Sequence, residues 1–76
     1  MSTKFKTLDI RPLLARGEEP FPIIREQANQ LSPGQGLTVI APFLPAPLIE
    51  YLKGEGFQSA PKHRADGAWS VNFWKE

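Results

Sequence analysis

Near the start of the chain, apolar and polar side chains alternate: Leu8 and Ile10 fall on one side, Thr7 and Asp9 on the other. That period of two predicts a short, half-buried strand over Lys6–Ile10. Pro12 lacks a backbone donor and ends it. Leu13–Gly17 reads as an irregular connection with room for one helical turn before Gly17 breaks it. From Glu19 or Pro20 to about Leu31 the period changes. Phe21, Ile24, Ala28 and Leu31 recur at offsets of three, four and three, one face of a helix, with Arg25, Glu26, Asn29 and Gln30 opposite. Pro20 and Pro22 fit this helix because its first turn needs no internal donor. Ser32-Pro33-Gly34-Gln35-Gly36 stops it as a turn.

Leu37–Ala41 is rich in β-branched residues and suits a central strand. Prolines 42, 45 and 47 leave nothing regular until Pro47 opens a second helix, Leu48 to about Lys53, with Leu48, Tyr51 and Leu52 as its apolar stripe. Gly54 and Gly56 suit the left-handed conformations that close a helix. Phe57–Arg64 is a third strand, which Pro61 assigns to an edge or a bulge. Asp66-Gly67 marks a hairpin turn into a fourth strand, Trp69–Trp74, with Trp69, Val71 and Phe73 on one face and Ser70, Asn72 and Trp74 on the other. The predicted order is β-α-β-α-β-β. Crossovers of one hand stack both helices on one face of a mixed four-stranded sheet, a two-layer α+β sandwich. The other face is left open, lined by Thr7, Asp9, Thr38, Ile40, Ser70, Asn72 and Trp74. No repeat or linker divides the chain, so residues 1–76 are expected to form a single domain.

Composition narrows the function. A chain of 76 residues buries only roughly 60% of the surface its unfolded form exposes, so the core is thin. The absence of cysteine removes disulfides, thiolate metal sites and any thiol nucleophile. A net charge of +1 with both signs scattered argues against a general grip on nucleic acid. The longest apolar run is far short of the ~20 residues that span a membrane. No apolar stretch follows the lysines of Met1–Lys6 to act as a signal peptide. The expectation is a cytoplasmic protein with no membrane partner.

Leu8-Asp9-Ile10, Glu19-Pro20-Phe21-Pro22 opening an amphipathic helix, and Ser32–Ala41 together resemble the TusA/SirA-like sulfur-carrier superfamily. The likeness runs through nearly the whole element order. Its sharpest point is the Pro-x-Pro of Pro20 and Pro22. In the carriers that motif is Cys-Pro-x-Pro and the cysteine holds the persulfide; Glu19 stands in the cysteine's place here. A carboxylate cannot carry a sulfane sulfur, so relay through a thiol of this chain is excluded. The segments Arg11–Glu18 and Ala41–Pro45 resemble a cysteine-less, uncharacterised bacterial branch of that superfamily. Members of that branch fused to other domains imply accessory roles.

The candidate binding residues are Arg11, Arg16, Glu18, Glu19, Pro20 and Trp74. Carboxylates at a helix start are stabilised by the macrodipole whether or not they bind anything, and that is the bland reading of Glu18 and Glu19. The functional reading has Glu19 presented to a cationic ligand or partner, with Arg16 and Arg11 nearby. An arginine neighbour keeps a carboxylate ionised, the reverse of what a general acid needs, so no catalytic residue is assigned. His63 is the sole histidine and has no cysteine or second histidine to complete a metal site, so it is expected to be a solvated strand end. Lys62-His63-Arg64 is too small a footprint for a nucleic-acid binder. Trp74, with Ile40 and Phe5, is either covered by the chain ends or an exposed contact patch. Phe43 either seals the core or presents an anchor.

The reading favoured by the residues is a non-enzymatic binding or accessory module, without cofactor or metal, that docks a protein partner or small ligand near the N-terminus of the first long helix. A weak homodimer through the open sheet face is an additional expectation. The alternatives are a carrier or enzyme component using Glu19 in the cysteine position, and an RNA-contacting domain.

Overall fold

In the computed structural model, which describes residues 4–75, strand β1 (Lys4–Asp9) runs parallel to β2 (Gln35–Ala41) with Leu8 opposite Val39. Three helices and two further strands follow among the described residues: α1 (Arg11–Ala15), α2 (Phe21–Asn29), α3 (Ala46–Gly54), β3 (Gln58–His63) and β4 (Trp69–Trp74). The strand order is β1-β2-β4-β3, so the last strand is inserted between the second and third and runs antiparallel to both. This is the expected small α+β sandwich with a mixed four-stranded sheet.

The hairpin that returns β4 into the sheet is built by the predicted turn. Gly67 sits at φ +87°, where a Cβ would be strained, and Asp66 Oδ1 accepts the Ala68 N–H at 3.0 Å. Pro61 lies on β3, an edge strand, opposite Val71. An edge is where a missing backbone donor does least harm.

The sheet has one apolar face. Leu37, Val39, Val71 and Phe73 are fully buried and alternate with partly exposed neighbours. Ile24 and Ala28 of α2 and Leu48 and Leu52 of α3 close over them in one cluster, which puts both long helices on the same side. The other face carries Thr7, Asp9, Thr38, Ile40, Ser70, Asn72 and Trp74 in paired register, and no described helix packs there. Thr38 Oγ1 donates to Asn72 Oδ1 across it at 2.7 Å.

Several boundaries differ from the sequence pattern. β1 starts at Lys4 and stops at Asp9, so Ile10 lies beyond it, although its N–H still donates to Ile40 O at 3.0 Å. The connection expected to hold at most one helical turn before Gly17 is a short helix, α1, that starts earlier, at Arg11, with Pro12 in its first turn. Asp9 makes that start possible: its Oδ1 accepts the Arg11 N–H, a helix-end donor that would otherwise lack a partner, at 3.0 Å. Gly17, at φ +75°, ends the helix: its N–H donates to Leu14 O and that of Glu18 to Leu13 O. Helix α2 begins at Phe21, with Pro20 as its N-cap, so Glu19 precedes the helix. Helix α3 opens at Ala46 and closes by the same device at Gly56, φ +95°, while Gly54 lies within it. Gly36 belongs to β2, not to the preceding turn.

Candidate functional site

The ends of the helices meet at one corner. The turn at Gly17 carries the chain across to the start of α2, and Pro42–Pro45 delivers α3 to the same place. Between them lies a cleft of about 490 Å³, open to solvent, within the size range of ligand pockets. Buried Ile10, Ile24, Pro45 and Leu48 form its floor. Its exposed rim includes Phe21, Phe43, Pro47 and the segment Gly17–Glu19. Phe43 is 54% exposed, the most of any large apolar side chain among the described residues, so it presents its ring at the rim and does not seal the core. Phe21 is held by an edge-to-face contact with Tyr51 of α3, ring centres 6.2 Å apart, which ties the two long helices together.

Of the residues singled out from the sequence, Glu18, Glu19 and Pro20 line this cleft. Arg16 is adjacent and its Nε donates to Glu18 Oε2, so the arginine is engaged by Glu18. Arg11 is placed elsewhere. Its guanidinium grips Asp9 through Nε and Nη2, at 3.0 and 2.8 Å, and reaches Asp66 at 3.4 Å. Arg64 joins the same cluster, 3.2 Å from Asp66. The side-chain hydrogen bonds from Arg11 hold the Asp9 carboxyl below the usual carboxylate range and raise the Arg11 guanidinium further. Asp66 is lowered too, first by the Ala68 N–H and then by the charges of Arg64 and Arg11. This cluster fastens the end of β1 and the start of α1 to the β3–β4 turn.

Trp74 lies at the far end of the open sheet face, half-buried, with Phe5 edge-on at 6.4 Å. Trp74 and the cleft are therefore separate features. His63 is exposed and stacks on Trp69 with ring centres 4.7 Å apart. Among the described residues no three His, Cys, Asp or Glu side chains gather to hold a metal ion, and no helix is long and apolar enough to cross a membrane. A second concavity, of about 370 Å³, lies between the C-terminal end of α2 and Phe57 and contains none of the candidate residues.

Sequence reasoning missed the contribution of Leu14, Pro45 and Pro47 to the cleft. The available signal was the density of prolines around Phe43 and Leu44, which leaves apolar side chains on a segment with few donors.

Residues 7–75 match the model of a family described as an uncharacterised conserved protein (DUF2249). No curated protein and no solved structure matches the chain.

Proposed function

The chain belongs to the uncharacterised conserved family DUF2249, and from that premise we propose that it is a non-enzymatic binding module that docks a protein partner at the corner where α2 and α3 begin. One observation carries this reading: an apolar cleft of about 490 Å³ lies beside Glu19-Pro20-Phe21-Pro22, with an exposed phenylalanine, Phe43, at its rim. Aromatic side chains, phenylalanine among them, are enriched at protein interfaces, and an exposed one beside an apolar hollow suits that use. The proposal extends to kinship with the TusA/SirA-like carriers, on the Pro20-x-Pro22 motif with Glu19 in the position of their cysteine; the cleft would then be a carrier's docking corner retained without its sulfur chemistry. Cytoplasmic residence and a bacterial source belong to the same proposal.

The test is selection of displayed peptides on the immobilised protein, followed by affinity measurement on Phe43→Ala. Selected peptides should lose at least about tenfold in affinity on the variant. Peptides that bind wild type and variant equally would remove the cleft from the function.

A second reading rests on the Phe5–Trp74 pair, where Phe5 is 39% exposed on the open sheet face. Two copies would meet there weakly, because Thr7, Asp9, Thr38, Ser70 and Asn72 make most of that face polar. Sedimentation should then show mass rising with concentration, a rise lost in Trp74→Ala. A monomer at every concentration ends this reading.

A further inference from the structure

Resting on the cleft as the docking site, we propose that its occupant is a partner segment in which an apolar side chain is flanked by arginine or lysine. The charged residues lining the cleft are both acidic, Glu18 and Glu19, and no cation lines it. Arg16 neutralises Glu18, whereas Glu19 makes no ion pair among the described residues.

A helix N-terminus ordinarily favours anions, and two converge here. That preference is carried by free first-turn N–H groups. Pro20 and Pro22 occupy the N-cap and second position of α2, and Pro45 and Pro47 the same positions of α3. None of the four has an N–H to offer. The Ala46 N–H is already donated to Leu44 O at 2.9 Å. Arg25 shares a neighbouring hollow with Glu19 but makes no ion pair with it, so the corner has few donors for a phosphate or carboxylate and a carboxylate free to meet a cation. The exposed rings of Phe21 and Phe43, 38% and 54% exposed, add π faces over which a guanidinium or ammonium is attracted. The apolar floor takes the neighbouring side chain.

The probes are two acetylated, amidated pentapeptides, Gly-Arg-Leu-Arg-Gly and Gly-Glu-Leu-Glu-Gly, titrated to millimolar concentration while amide resonances are followed. The arginine peptide should shift Gly17, Ile24 and Leu48 and bind about tenfold more tightly than the glutamate peptide. Glu19→Lys should abolish or reverse that preference without loss of the folded spectrum. Equal binding of both peptides, lost in Phe43→Ala, would overturn the charge selection and leave the cleft as a docking site. Neither peptide shifting those resonances would overturn both readings.

Discussion

Gly36 and Gly54 show how position sets the consequence of one substitution. Gly36 lies in β2 beneath the ring of Phe5, and a Cβ there would also meet the Phe73 carbonyl oxygen at 2.7 Å. Phe5 is an exposed side chain free to turn aside, whereas the carbonyl belongs to the neighbouring strand and cannot. Gly36→Ala should therefore lose ~1–3 kcal/mol, the usual range for overpacking, read as a lowered urea midpoint with unchanged slope. Gly54 lies in α3 with nothing within 4 Å of its added Cβ. Gly54→Ala should be neutral or gain up to ~1 kcal/mol from the helix preference. Destabilisation by both variants to the same extent would show that the Gly36 contact does not set the cost. Arg11 teaches the same lesson about charge. Nearness in sequence to Glu19 suggested a shared site, but Asp9 is nearer, two residues away, and takes the guanidinium.

The elements are joined at that cluster. Asp9 caps the start of α1 while its carboxylate holds Arg11, and Arg11 and Arg64 both reach Asp66 in the turn between β3 and β4. The folded-state pKa of each aspartate is depressed, so the stability it contributes is fully present above its unfolded value of about 3.9 and is lost as pH falls through the lower folded value. The pairs are partly exposed and screened by solvent, so each contributes little on its own. The urea midpoint should hold steady down to about pH 5 and fall below about pH 4. Asp9→Asn should lower the midpoint at neutral pH and make the acid fall shallower. A variant whose midpoint declines as steeply as wild type would exclude Asp9 from the acid response. Glycine closures at Gly17 and Gly56 act at the same level: each ends a helix and aims the next segment, the first toward the cleft and the second into β3.

One core unites all of these elements, and β4 is its centre. Val71 and Phe73 are fully buried between β2 and β3, Trp69 is half-buried on the helix-side face, and Trp74 is half-buried on the open face. β4 joins β2, which lies under α2, to β3, which lies under α3, so its loss splits the sheet beneath the two helices and unfolding should be cooperative. Tryptophan fluorescence, far-UV circular dichroism and heat should report one coincident transition; separated midpoints would mean that the helical layer loosens before the sheet. Local pattern was sufficient for the strands, the two long helices and the turn at Gly67, because each depends on near neighbours in the chain; of the two predicted apolar stripes Ile24, Ala28, Leu48 and Leu52 are buried, whereas Phe21 and Tyr51 are exposed and pack on each other at the helix surface. It also placed Glu18, Glu19 and Pro20 at a helix start. It left room for only one helical turn where α1 forms and could not place Gly36 in a strand. Nor could it bring Phe43 and Pro47 against Glu19, or assign Arg11 to Asp66 across the fold. Those arrangements depend on β4 entering between β2 and β3 and on both long helices sharing one sheet face. Contacts between distant segments follow from that packing, and local pattern carries no record of them.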